Sequence, residues 1–203
     1  MDDLVKSSAQ RAQTISPAKA RIVAKAIDLF YEKGFERTTV RDIAAATGIL
    51  SGSLFHHFKN KQEILFTAMA MTTRDMGVRA EKAVEGITEP VAQLKALILC
   101  ELYSIHREDG QAAYVLVDEW RSLDEVSREK VLALRDGSYE KCWDAALEGC
   151  DARGLLSSQP KVARQLIRGA LAWTRNWYRP DGDMSLDMLA DEVCGSFLHK
   201  ARE

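Results

Sequence analysis

Within residues 41–56, Arg41, Ser51, Ser53, Phe55 and His56 bring a guanidinium, two hydroxyls, an aromatic ring and an imidazole onto two short stretches of chain. This set suits hydrogen bonding to base edges and phosphates, with an apolar contact for a thymine methyl. Val40, Ile43, Ala44, Ile49, Leu54 and Phe58 interleave with it at helical spacings, so the polar set faces outward when the apolar set is buried. A helix-turn-helix has this requirement: two short helices at a steep angle, the second free to enter a major groove about 12 Å wide. Gly48 allows the left-handed turn between them, and Gly52 lets the second helix approach a neighbour or the DNA closely.

The elements that must hold this motif follow from periodicity. Pro17 suits a first helical turn, and Ile22, Ala26, Leu29 and Phe30 form a stripe that ends at Gly34. Thr39 and Asp42 make a capping-box pattern opening the second helix, which Thr47-Gly48 stops. A third short helix carries Leu54 and Phe58, and a fourth begins at Asn60–Glu63 and continues past Met71 towards Gly86. Beyond it, helices are expected from Pro90 to about His106, Gln111 to Ser122, Asp124 to Gly154 with Gly137 as a break point, Pro160 to Trp177, and from a Ser185 cap onwards. Alternating strand patterns and internal repeats are absent. The expectation is an all-α protein: a disordered arm over 1–16, a three-helix helix-turn-helix DNA-binding domain over 17–62, and a helical domain over 63–203.

Other chemistries lack their signatures. Cys100, Cys142, Cys150 and Cys194 have no zinc or disulfide-scaffold spacing, so reduced thiols are expected, with no metal and no cofactor. Asp181, Asp183, Ser185, Asp187 and Glu192 fall at calcium-loop positions, but Leu186 stands where the sharp turn demands glycine. They read better as a turn and a capped helix. Cys100, His106, Asp118 and Glu119 are accompanied by no nucleophile elbow, phosphate loop or paired metal motif, which argues against an enzyme. A DNA-binding or protein-interaction module without an effector is the alternative, and a sealed C-terminal core would favour it.

Charge divides the chain: residues 1–62 carry 10 Lys/Arg against 6 Asp/Glu, and residues 63–203 carry 18 against 24. A basic head on an acidic body fits a nucleic-acid partner. MDDLVKSSAQRA lacks the apolar run of a signal peptide, and no later run is long enough to span a bilayer, so a cytoplasmic protein with no membrane partner is expected.

From Gly34 to Leu65 the chain reads GFERTTVRDIAAATGILSGSLFHHFKNKQEIL, which resembles the N-terminal pattern of the tetracycline-repressor (TetR) family of transcriptional regulators. The resemblance implies a homodimer on palindromic operator DNA, released by a small effector held in the C-terminal helices. It places Thr39 and Lys61 at helix N-termini on phosphates, Arg41 on a phosphate or base edge, and Ser51, Ser53, Phe55 and His56 on the recognition helix. His57 matches a frequent family histidine. Leu50 stands where many members have serine or threonine, Ser51 where they have lysine or proline, and Phe55 where they have tyrosine. The recognition helix therefore lacks a basic contact, and Phe55 is left with apolar contact to a thymine methyl or a sugar.

GILSGSLFHHF, with Trp177-Tyr178-Arg179-Pro180-Asp181-Gly182, further resembles the subgroup that represses steroid and fatty-acid catabolism genes and senses CoA thioesters. Such a ligand needs cations for its phosphates and an apolar slot for its acyl part. Arg168 fits the subgroup's ligand-contacting arginine, while its tryptophan position falls on Ala172 with Trp173 beside it. Arg168 and Arg175, with Trp120, Trp143, Trp173 and Trp177, are the candidate effector residues, and Arg179 is a further cation. Val162, Leu166, Ala170 and Trp177, with Leu186, Leu189, Val193 and Phe197, have spacings that fit either a dimer interface or ordinary core.

Overall fold

The computed structural model describes residues 15–106 and 110–199. Most of the arm assigned to 1–16 lies outside the described residues; Ile15 packs on the core and the Ser16 hydroxyl accepts from Lys19 N, capping the first helix. The described elements are α1 (Pro17–Lys33), α2 (Val40–Thr47), α3 (Ser51–Leu54), α4 (Lys61–Val84), α5 (Pro90–His106), α6 (Gln111–Asp118), a 3-10 turn Trp120–Ser122, α7 (Glu125–Arg135), α8 (Tyr139–Ala152), α9 (Pro160–Trp173), a 3-10 turn Thr174–Asn176, and α10 (Leu186–Ser196). The fold is all-α; among the described residues the one β-type pairing is an isolated antiparallel bridge between Leu156 and Leu198.

Two expected helices are shorter than periodicity suggests, each for a local reason, and the long one over 124–154 divides at the expected Gly137 break. Asp136-Gly137-Ser138 favours a turn and separates α7 from α8. α6 stops at Asp118 and passes into the Trp120–Ser122 turn, because the Glu119 carboxylate accepts from Phe35 N and from the Ser122 hydroxyl. α9 ends at Trp173, where the Thr174 hydroxyl donates to Leu171 O and the chain tightens into a 3-10 turn.

The chain forms two compact units, Met1–Met76 with Asp109–Arg135, and Gly77–Glu108 with Asp136–Glu203. α4 contributes to both, so the 62/63 boundary read from the sequence lies inside this helix. In the first unit Ile22, Val23, Ala26 and Phe30 of α1 meet Ile43 and Ala44 of α2, Leu54, Phe58, and Ile64 and Leu65 of α4. Val115, Leu123 and Val131 join the same core. Each fully buried Val, Leu, Ile or Phe among them stabilises by about 1.5–3 kcal/mol. In the second unit α5 packs against α8, α10 and α9 through Leu94, Leu97, Ile98, Leu102, Trp143, Leu147, Ile167 and Ala190.

Candidate functional site

Local chemistry holds the helix-turn-helix in place. Asp42 N donates to the Thr39 hydroxyl oxygen at 3.1 Å, while Thr39 N and Thr39 Oγ1 both donate to the Asp42 carboxylate at 2.8 Å. The Thr39 backbone bond first, then Lys33 at 3.0 Å and the Thr39 hydroxyl, lower the Asp42 pKa from 3.8 to about 2. At the other end of α2, Gly48 has φ 73°, and its N–H reaches the Ala44 and Ala45 carbonyls. A side chain there would be strained in this left-handed conformation.

α3 is one turn long, and the chain stays coiled to Phe58 through His57 N→Leu54 O (2.9 Å) and Phe58 N→Leu54 O (3.0 Å). Leu54 and Phe58 are buried and anchor it to the first-unit core. On the outward side Phe55 and His56 are exposed, and Ser51, Ser53 and His57 are half-buried. Arg41, the second residue of α2, is also exposed. Thus Arg41, Ser51, Ser53, Phe55 and His56 all keep accessible surface while their apolar neighbours hold the backbone.

Two of the expected phosphate contacts are already engaged. The Thr39 hydroxyl is donated to Asp42. Lys61 Nζ donates to Phe35 O at 2.7 Å and Glu36 O at 3.3 Å and sits 4.1 Å from the Phe35 ring centre. An ammonium has three N–H donors, so one remains beyond these two carbonyls.

The six effector candidates are dispersed. Trp120 packs half-buried on the first-unit core, whereas the other five belong to the second unit. Trp143 is fully buried, Arg168 and Arg175 are half-buried, and Trp173 and Trp177 are exposed at 66% and 50%. A hollow of about 380 Å³ in the second unit is bounded by Glu81 and Val84 of α4, Gln93 of α5, and Lys141, Cys142 and Ala145 of α8. None of the six lines it.

One group the sequence reading passed over is Arg164. It is 4% exposed, its guanidinium lies 4.0 Å from the Trp143 ring centre, and it donates to Tyr139 Oη at 2.9 Å and to Glu140 at 3.3 Å. Tyr139 Oη in turn donates to Glu101 at 2.6 Å. Burial, with the Glu101 charge beside it, holds the Tyr139 phenol well above its ordinary range, so the proton stays on tyrosine. The available signal was position: Arg164 lies on the face of α9 that buries Ala163, Ile167 and Leu171.

Residues 88–201 match the family described as tetracyclin repressor-like, C-terminal domain, and residues 22–68 match bacterial regulatory proteins, tetR family. The chain belongs to the TetR family. This regulator is 31% identical to the HTH-type transcriptional repressor KstR2 of Rhodococcus jostii over 186 residues, 90% of each chain. It also resembles a crystal structure described as superantigen PfiT, with 42% identity and a TM-score of 0.77 over 90% of this chain and 97% of that one. A third likeness is AibR in complex with isovaleryl coenzyme A and operator DNA, at 25% identity and a TM-score of 0.79, over 89% of this chain and 97% of that one. Family membership makes the protein a helix-turn-helix transcription regulator, not an enzyme. No helix among the described residues is long and apolar enough to cross a membrane.

Proposed function

We propose that this TetR-family protein is a ligand-responsive repressor that binds palindromic operator DNA as a homodimer and is released by an acyl- or steroid-derived CoA thioester. The DNA reading is carried by one observation: Ser51, Ser53, Phe55 and His56 keep exposed surface on a helical turn whose Leu54 and Phe58 are locked into the core. Ser53 and His56 reach base edges, Arg41 a phosphate or base, and Ser51 and Phe55 the flanking surface. Thr39 joins by turning its hydroxyl from Asp42 to a phosphate, and Lys61 by its remaining N–H.

The dimer reading is supported by α9. Val162, Leu166 and Trp173 are exposed on it, with Gly169 and Ala170 between them and Trp177 just beyond. Small residues permit close helix approach, and aromatic anchors fit an interface core. Two subunits would then meet half-sites about 34 Å apart. In this reading Trp173 and Trp177 serve the interface, Trp120 and Trp143 serve the cores they pack in, and Arg168 and Arg175 remain the effector candidates.

The effector class is supported by AibR, whose structure holds isovaleryl coenzyme A together with operator DNA. Arg168 and Arg175, both half-buried, supply cations for such a ligand. The test is a series of acyl-CoA thioesters scored by thermal shift and by anisotropy on a selected operator. A ligand at a hundred times its Kd stabilises by about 2.7 kcal/mol and should release the DNA. If no thioester does both, the effector class is wrong; if Ser53→Ala with His56→Ala binds operator as wild type does, the DNA face is wrong.

A further inference from the structure

Leu50 carries two local costs at one position. It is the N-cap of α3, yet it makes no side-chain cap hydrogen bond, whereas Ser16, Thr39 and Ser185 cap their helices with hydroxyls. It is also 79% exposed, more than any other large apolar side chain described. A serine here would cap the helix and present no apolar surface to water. Neither the turn nor the core therefore accounts for leucine at this position.

The surroundings narrow what does. No Lys or Arg occurs from Ile49 to Phe58, so the arginine–guanine contact, the commonest specific contact in a major groove, is not available from this helix. Residues at the N-terminal end of a recognition helix are those that reach base edges. An aliphatic side chain at a base edge has one means of discrimination, contact with the C5-methyl of thymine.

We infer that Leu50 is a specificity-determining residue that packs on the methyl group of one thymine in each operator half-site. This rests on the DNA-binding face proposed above, and continues it by one residue. Discrimination at that base pair is then by burial of a methyl, while the Ser53 hydroxyl and His56 imidazole supply the polar reading.

The test begins with selection of operator duplexes from a randomised pool by the full-length protein. Thymines of the selected site are then replaced one at a time, symmetrically in both half-sites, by deoxyuridine, which removes the methyl and keeps every hydrogen-bonding edge. At one position the replacement should weaken wild-type binding roughly 15-fold, about fourfold for each of two buried methyls. Leu50→Ala should bind the unmodified operator about as weakly and lose its response there, and Leu50→Met should restore part of it. Low salt brings the weaker variants into measurable range, and circular dichroism with melting curves confirms that both fold. A selected operator indifferent to uracil at every thymine, or a Leu50→Ala protein that keeps full methyl sensitivity, overturns the inference and leaves the DNA reading standing. If no duplex is enriched, both fall.

Discussion

The Glu119 carboxylate accepts a hydrogen bond from the Phe35 backbone N–H at 2.9 Å, joining positions 84 residues apart in the chain. Its second oxygen takes the Ser122 hydroxyl at 2.6 Å, and the Ser122 carbonyl takes Gln62 Nε2 at 2.7 Å. Lys61 binds the Phe35 carbonyl at 2.7 Å, so this peptide neighbourhood is held at its N–H by Glu119 and at its C=O by an ammonium. The loop that leads into α2 is thereby tied to the segment after α6. A displacement of residues 111–122 must either carry that loop or break these bonds.

Glu119→Ala is accordingly expected to cost about 2 kcal/mol of stability, the range for a hydrogen bond to a charged group. It should also speed hydrogen exchange at the Phe35 amide. Glu119→Gln keeps an oxygen acceptor and should lose less than half as much. Urea unfolding and exchange mass spectrometry check this; equal costs for Ala and Gln would show that the bond to Phe35 contributes little.

Asp42 sets an acid limit. Its pKa falls from 3.8 to about 2 on folding, chiefly through the Thr39 backbone bond and then through Lys33. The unfolded state therefore binds the proton first as pH drops. The stabilisation is fully present above pH 3.8 and is lost as pH falls through about 2. Asp42→Asn should remove this part of the acid dependence, seen as a flatter melting-temperature profile between these pH values, and the Asp42 carboxyl in the wild type should titrate near 2 by NMR.

Local signals were readable in the sequence because their partners are close by. The Thr39–Asp42 box, the Gly34 and Gly48 stops and the Ser185 cap each depend on residues within one turn, and all are present in the structure. Glu119 gave no such signal, since its partner lies 84 residues away. α9 was ambiguous because it has two apolar faces. Val162, Leu166 and Ala170 read as core or interface and are exposed, while Ala163, Ile167 and Leu171 are buried. Arg164 interrupts the buried face, and only the tertiary partners Trp143, Tyr139 and Glu140 explain a cation there.

Arg164 should be the most sensitive charged position in the second unit. Removing one partner of a buried ionic network leaves the others uncompensated and costs about 3–5 kcal/mol. Arg164→Ala would also strip the cation from the Trp143 face, 4.0 Å away. Tyr139→Phe deletes a link but no charge, and should cost about 1–2 kcal/mol. Chemical denaturation of the two variants tests the order; an Arg164→Ala protein within 1 kcal/mol of wild type would mean the network is dispensable.

On the exposed face of α9, Leu166→Glu places a charge where the dimer reading needs an apolar contact. Leu166 is solvent-exposed in the single chain, so the fold should survive. Sedimentation should then show a 22.7 kDa species, with operator affinity reduced at least tenfold because the two half-sites are no longer linked. A variant that sediments as wild type does would remove α9 from the interface.

Two helical glycines separate backbone propensity from packing. Alanine is the better helix former by about 1 kcal/mol, so both Gly77→Ala in α4 and Gly149→Ala in α8 would stabilise on propensity alone. A Cβ at Gly149 would lie 2.7 Å from Cγ and 2.9 Å from Cβ of Pro90, whose ring sits at the first turn of α5 and cannot rotate away. At Gly77 the new Cβ meets the Ser138 hydroxyl, the end of a side chain that makes no cap bond and is free to change rotamer. Gly149→Ala should therefore lower the melting temperature, with an overpacking cost of about 1–3 kcal/mol outweighing propensity. Gly77→Ala should leave it unchanged or raise it. Opposite signs from the same substitution would show that the α8–α5 contact is close-packed, and a gain at both positions would show that α5 yields at Pro90.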